Sequence, residues 1–148
     1  MTDQEFLSLC TETSQLLELD DVNVLGKAGE VVIDDIRIGL YYSAETDEVI
    51  SCFVDAGYLD DALRPAAFEH MLAFNLEING ANGESLGFDR KSGHLILKAT
   101  IRPEIECTPD QLADWLRDYA EFTHNLREML STADGQFEFK EMMPGALA

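Results

Sequence analysis

The chain has 148 residues, of which 46% are hydrophobic and 26% are charged, and this suits one globular domain that folds around its own core. Its formal net charge is −19, because 29 acidic residues face only 10 lysines and arginines, and this excludes nucleic acid and anionic membranes, whose phosphates bind clusters of basic residues. The charge favours solubility and attracts basic partners from a distance, although a solvated acidic surface alone would also explain it.

The first part of the chain predicts one helix and then two strands. Thr2 and Glu5 have the spacing of a capping box, and the apolar residues after them recur on one helical face, which predicts a helix over residues 3–19. Beyond a glycine-containing turn the period changes to two. This pattern predicts a short strand at residues 31–34 and a longer strand at residues 36–42.

A third strand follows after a polar turn. Residues 49–55 are apolar almost without interruption, and this favours a strand that is covered on both faces. Residues 57–63 are predicted to connect this strand to the second helix.

The second predicted helix, residues 65–78, has more apolar surface than one core-facing stripe needs. Its apolar side chains cover an arc of roughly 200°, whereas a surface helix usually shows a stripe a little over ~100° wide. Asn75 is the only polar residue inside that arc. The helix is either buried at the centre of its own domain, or packs on its sheet with one edge and on a second subunit with the other, and the second interpretation is favoured.

The rest of the chain predicts a hairpin, a long helix and a tail. A glycine-rich exit at residues 79–83 leads into two antiparallel strands, residues 84–90 and 94–101. Thr108 as the cap, Pro109 at the first helical position and Gln111 at the capping-box position predict the start of a third helix, which runs over residues 108–131. Residues 132–148 are predicted to form a mobile C-terminal tail after a single domain of residues 1–131, and the tail's aromatic and methionine residues favour docking of part of it.

The predicted order of elements is α-β-β-β-α-β-β-α. It indicates an α+β fold in which helices pack on a twisted antiparallel sheet. No internal repeat or low-complexity segment interrupts this order.

No motif for catalysis, metal binding or cofactor binding is recognisable in the sequence. His70, His94 and His124 have no second ligand at metal spacing, and the glycines match neither a phosphate loop nor a dinucleotide fingerprint. A cysteine–histidine pair could be assembled only in the folded chain. We therefore expect no enzyme activity, no cofactor and no metal.

Cysteine usage and the absence of apolar segments predict a cytoplasmic protein. Cys10, Cys52 and Cys107 are odd in number and far apart, which argues against a disulfide framework. Residues 1–5 are acidic and lead into no apolar run, so no secretory signal is predicted. No apolar run approaches the ~20 residues that a membrane span needs, so no membrane insertion is expected.

Four segments together resemble the centre of a known family. They are residues 66–75 (AAFEHMLAFN), 79–83 (NGANG), 86–89 (LGFD) and 92–97 (SGHLIL), and they resemble class I type III secretion chaperones of the Tir-chaperone (CesT-like) family. In that family a helix with small and aromatic residues leads through a glycine turn into a strand that reads Leu-Gly-hydrophobic-Asp. A second glycine turn and an apolar strand follow. The resemblance covers residues 3–130, and length, acidity and element order agree with it.

The resemblance implies a bacterial cytoplasmic chaperone that works as a homodimer and needs no ATP. Such a chaperone binds the N-terminal region of a secreted effector protein, keeps it soluble and secretion-competent, and delivers it to the type III secretion machinery. The implied dimer interface lies on the second helix and the strand after it. Its residues are Phe68, Met71, Leu72, Phe74, Leu86 and Phe88.

Effector capture would combine apolar pockets with pairing of an extended segment to a strand edge. For Ile38 and Leu40 a place in the core is the favoured interpretation, since a uniformly apolar strand face normally packs inward, and Tyr41 on the opposite face is then the alternative contact. The acidic surface would suit an effector segment with positive charge. The candidate contacts are Leu7, Ile38, Leu40, Tyr41, Tyr42 and Phe53.

Two other functions remain open from the sequence. The chain could be a protein-binding adaptor of the same fold with no link to secretion, or an unrecognised small enzyme. The partners that a chaperone would capture from its native host distinguish it from the adaptor.

Overall fold

A computed structural model describes residues 1–27, 29–104 and 107–132. The elements follow the predicted α-β-β-β-α-β-β-α order, with one short 3-10 helix, Asp61–Leu63, before the second α-helix. The tail was predicted at residues 132–148; Thr132 is the last residue of the third α-helix, and residues 133–148 lie outside the described residues. The helices and strands are α1 (Asp3–Leu16), β1 (Glu30–Ile33), β2 (Ile36–Tyr41), β3 (Ile50–Tyr58), α2 (Arg64–Glu77), β4 (Ser85–Asp89), β5 (His94–Ile101) and α3 (Pro109–Thr132).

The five strands form one antiparallel sheet in the order β1-β2-β3-β5-β4. Helix α3 packs on β1, β2 and β3, α1 packs on α3, and α2 lies beside the edge strand β4. Alternate strand residues face these helices, as the period of two predicts. Their side chains are fully buried and form the centre of the core: Ile36, Ile38, Leu40, Ile50, Cys52, Val54, Leu95, Leu97, Ala99 and Ile101.

Helix α1 starts as predicted and ends three residues earlier than predicted. The capping box is present, since the Glu5 N–H donates to Thr2 Oγ1 (3.1 Å) and the Thr2 N–H donates to Glu5 Oε2 (2.7 Å). Glu18 has a φ of 55°, and the N–H groups of Glu18 and Leu19 turn back to the carbonyls of Gln15 and Ser14. This is the Schellman ending of a helix, usually made with glycine at the left-handed position, so no sequence signal marked it.

Strand β3 is longer than predicted because of a β-bulge. The pairing of β3 with β5 shifts between Asp55 and Tyr58, and Gly57 adopts a φ of 91°. The Gly57 N–H donates to the Asp55 carboxylate (2.7 Å), which holds the bulge. A bulge inserts an extra residue and lets pairing resume, so the strand continues through Gly57 and Tyr58, which the sequence assigned to a connector.

A buried polar network fastens the glycine-rich exit of α2 to α3. The Tyr119 hydroxyl donates to Glu84 Oε1 (2.8 Å) and accepts from Asn82 Nδ2 (2.9 Å). Burial raises the pKa of Tyr119, so the phenol stays protonated and can donate. A side chain at Gly80 would meet the Glu84 carboxylate and displace it from this network.

Candidate protein-binding surfaces

The face of the sheet that points away from the core, here called the outer sheet face, is open to solvent. Its side chains alternate with the buried ones, and three of them are aromatic. Tyr41 is 39% exposed, Phe53 38% and Tyr58 60%, and Val32 at the β1 edge is 56% exposed. The expectation that residues 49–55 are covered on both faces is therefore wrong within the described protomer, because the helices pack on one face only.

An open groove of about 580 Å³ lies across the outer sheet face. Tyr41 and Phe53 meet edge to face, with ring centroids 5.7 Å apart, and Lys98 Nζ lies 5.7 Å from the Phe53 ring centroid. No carboxylate of the described chain lies within ion-pair distance of this lysine. Ile96, Glu30 and Asp89 also line the groove, which thus combines aromatic surface with side chains of both charges.

Helix α2 buries one side and exposes the other. Ala67, Met71 and Phe74 are buried, whereas Leu72 is 73% exposed and Leu76 is 88% exposed. The interpretation of a helix at the centre of its own domain is therefore wrong. We call the pair Leu72 and Leu76 the α2 strip.

The six residues expected at a dimer interface fall into three groups. Met71, Phe74 and Leu86 belong to the core of the protomer itself. Phe68 and Phe88 are half-buried, with ring centroids 5.0 Å apart. Of the six, only Leu72 is largely exposed. Leu76, which was not among the six expected residues, is also exposed and lies one turn further along the same helical face.

The six expected effector contacts do not form one surface. Ile38 and Leu40 are fully buried, so the alternative of plain core is the one the structure favours for them, and they offer no surface to a ligand. Leu7 and Tyr42 are half-buried, and Tyr42 packs on Phe6 with centroids 5.3 Å apart. Of the six, only Tyr41 and Phe53 are brought together, on the outer sheet face. They lie next to Lys98, which was not among the residues predicted from the sequence.

The two edges of the sheet differ in how they are covered. At β4, the Asn75 side-chain amide donates to the Leu86 carbonyl (2.9 Å) and accepts from the Leu86 N–H (2.8 Å). This explains the single polar residue in the apolar arc of α2, because it acts as a strand partner for an edge that would otherwise be open. At β1 no described strand pairs with the far edge, so a partner strand could add there.

We expect Asn75→Leu to lower the free energy of unfolding by about 1–3 kcal/mol, because it leaves both main-chain groups of Leu86 without partners. Urea unfolding at fixed protein concentration measures the change. Asn125→Leu is the matched control, since Asn125 is an exposed asparagine on α3, and it should change stability by no more than about 0.5 kcal/mol. Equal effects of the two substitutions would contradict the role of Asn75.

The described residues show no activated nucleophile and no metal cluster. Burial raises the pKa of Cys10 and of Cys52 to about 12, and it also raises the pKa of Cys107, so these thiols are unreactive near neutral pH. His94 Nδ1 lies 2.8 Å from Asp55 Oδ1 rather than beside a thiol. No three His, Cys, Asp or Glu side chains within residues 1–27, 29–104 and 107–132 are arranged to hold a metal ion.

The family model described as the Tir chaperone protein (CesT) family matches residues 12–134. The match includes the whole sheet, α2 and α3. The chain belongs to the Tir chaperone protein (CesT) family. The resemblance inferred from the glycine-rich exit and the strands after it is thereby confirmed, and the CesT family is one of chaperones.

Five solved chains match this member of the CesT family in structure. One belongs to a structure described as the HopA1-SchA chaperone-effector complex, with a TM-score of 0.64 and 18% sequence identity over 85% of this chain and 95% of that chain. At this identity the likeness is one of fold, and it confirms the predicted α+β architecture. No curated protein gives a significant sequence match. Within the described part of the chain, none of the helices has both the length and the apolar character that a membrane crossing needs.

Proposed function

We propose that the protein is a bacterial cytoplasmic chaperone for a type III secreted effector. It binds the N-terminal region of that effector without ATP, keeps it soluble and secretion-competent, and delivers it to the secretion machinery. The observation that carries the proposal is the CesT-family match, which extends over both the open β1 edge and the exposed α2 strip. Both surfaces are ready for a protein partner, and neither offers catalytic groups.

The proposed chaperone works as a homodimer whose interface includes α2. The support is the α2 strip, because two neighbouring leucines with 73% and 88% exposure are a poor surface for a monomer in water. Phe68 and Phe88 lie next to the strip and would border the same interface. Burial of this apolar surface would drive association.

The effector segment is proposed to add as a strand to the β1 edge. Asp34 and Asp35 both have positive φ, 50° and 65°, so β1 and β2 are joined by a two-residue turn whose flanking residues, Ile33 and Ile36, pair directly. Hydrogen-bonded pairs alternate in an antiparallel ladder, and the N–H and C=O of Val32 therefore point away from β2. Main-chain pairing at this edge would hold an extended chain with little demand on its sequence.

Val32→Pro is expected to weaken binding of the effector N-terminal segment by about tenfold or more, because proline removes the outward N–H donor. Proline is tolerated at a strand edge where that N–H faces solvent, so the fold should be retained. Val32→Thr, which keeps the N–H and the branched shape, is the control and should bind as the wild type does. Calorimetric titration measures both variants, and equal affinities would contradict pairing at β1.

Affinity capture from the native host, followed by mass spectrometry, tests the proposed function. Recovery of a secreted protein supports the chaperone. Recovery of cytosolic enzymes or regulators alone would favour the alternative, a protein-binding adaptor of the same fold with no link to secretion.

A further inference from the structure

The open edge of β1 lies within reach of the chain that leaves α3. Arg127 Nη1 donates to the Asp35 carbonyl (3.2 Å), so the end of α3 lies near the turn between β1 and β2. The helix ends at Thr132, which is about 7.5 Å further along its axis. The next five residues can extend about 17 Å, whereas neighbouring strands lie only ~4.8 Å apart. Residues beyond 136 can therefore lie beside β1.

Residues 136–140, here called the tail segment, have the alternation of a strand. They read Gln-Phe-Glu-Phe-Lys, so polar residues alternate with two phenylalanines. Strand β1 alternates in the same way, since Val31 and Ile33 are 7% and 8% exposed on the helix side and Val32 is 56% exposed on the outer sheet face. A strand added beside β1 would place both phenylalanines on the helix side, where they extend the core, and the charged residues in solvent.

Charge selects the direction and register of such a strand. A chain that arrives at the turn between β1 and β2 meets the C-terminal end of β1 first, and it therefore runs antiparallel to β1. In the favoured register Glu138 lies opposite Val32. Lys140 then lies opposite Glu30, and a cross-strand pair of opposite charges is stabilising. A shift of two residues places Glu138 opposite Glu30 in one direction and beside Asp34 in the other, and a shift of one residue turns the phenylalanines to solvent.

A second copy of the chain fits the same edge less well. An antiparallel β1 from another copy, centred on Val32, would place Glu30 of each copy beside Asp34 of the other. Like charges opposed across an interface disfavour association. The tail segment is also tethered to its own β1 by a few residues, which gives it an effective concentration on the order of 1 mM.

We propose that the tail segment pairs with β1 as a further antiparallel strand in the free protein. The main-chain N–H and C=O of Glu138 bond the outward C=O and N–H of Val32, and Lys140 lies beside Glu30. The strand itself needs no effector. Its consequence rests on the proposed function: the tail segment occupies the edge that the effector segment is proposed to use, so the effector must displace it.

Disulfide trapping in the full-length chain tests the register. Val32→Cys combined with Glu138→Cys should form an intramolecular disulfide with oxidised glutathione, because the Cα atoms of a hydrogen-bonded antiparallel pair lie about 5.5 Å apart, within the range that a disulfide spans. Val32→Cys with Gln136→Cys is the matched control, since Gln136 is closer to α3 along the chain but two residues out of register. Electrophoresis without reductant and mass spectrometry of the linked peptides measure both yields. Equal yields, or a disulfide that joins two chains, would overturn the proposal.

Amide hydrogen exchange, followed by NMR without any effector, tests the main-chain pairing. Glu138→Pro removes the N–H that bonds the Val32 carbonyl, so it should speed exchange of the Val32 amide at least about tenfold. Glu141→Pro is the control, because the N–H of residue 141 points away from β1 in the same register, and it should leave this exchange unchanged. A Val32 amide that exchanges freely in the wild type would overturn the pairing.

The two experiments separate this strand from the chaperone function. Both use the free protein, so their failure would leave the proposed function standing. Capture of cytosolic partners alone would overturn the secretion role and leave a trapped tail segment standing.

Discussion

Replacing Leu72 or Leu76 with aspartate is expected to turn the proposed dimer into a monomer. Each substitution places two carboxylates in the interface, one from each protomer, and burying a charge that no partner compensates costs several kcal/mol. The dissociation constant should rise by a hundredfold or more, which corresponds to about 2.8 kcal/mol. Because both leucines are largely exposed in the protomer, the fold should survive, and light scattering can be interpreted as association alone.

Leu16→Asp is the control for this experiment. Leu16 is also an exposed leucine on a helix, at 40%, but it lies at the end of α1 and outside the α2 strip. It should leave the molecular mass in solution unchanged. A variant at position 72 and a variant at position 76 that both remain dimeric would show that the association does not involve this side of α2.

Tyr119→Phe is expected to lower the free energy of unfolding by about 3 kcal/mol, because it removes one hydrogen bond from each of two buried polar groups. The Glu84 carboxylate loses the O–H donor at 2.8 Å, and the Asn82 amide loses its acceptor at 2.9 Å. The Asn82 N–H still reaches the carboxylate at 3.3 Å, which limits the loss. Chemical unfolding at one fixed protein concentration measures the change, since association would otherwise shift it.

Tyr42→Phe is the matched control. The Tyr42 hydroxyl donates to the Met1 carbonyl (2.7 Å) in an exposed position, where water replaces the lost bond. Its removal should cost about 1 kcal/mol or less. If the two tyrosine substitutions had equal effects, the buried network would not be what fastens the exit of α2 to α3.

Strand periodicity predicted the sheet well, and its failures have local causes. The buried face of β5 follows directly from the alternation of Leu95, Leu97, Ala99 and Ile101. The end of α1 was missed because a glutamate occupies the left-handed position that glycine usually marks, and β3 was cut short because a bulge looks like a turn in sequence. In both cases hydrogen bonds between residues close in the chain hold the conformation: the main-chain bonds of Glu18 and Leu19 at the end of α1, and the Gly57–Asp55 bond at the bulge.

The candidate surfaces were harder to predict than the fold. Ile38 and Leu40 differ from Tyr41 by one step along a strand, and the alternation that separates core from surface does not say which face the helices cover. The sequence marks Asn75 as the one polar residue in an apolar arc, but not that its side-chain amide bonds the N–H and C=O of Leu86, which depends on the fold. Lys98 was missed because a single lysine in a strand has no distinguishing pattern.

The central claim is that this CesT-family protein holds the N-terminal region of a secreted effector as an extended chain. Limited proteolysis of the complex captured from the native host, followed by mass spectrometry of the protected fragments, tests it most directly. The account predicts that one continuous fragment from the N-terminal region of the effector resists cleavage and that the remainder is cut as it is in the free protein. Protection of a folded domain elsewhere in the partner, with a fully cleaved N-terminal region, would contradict it.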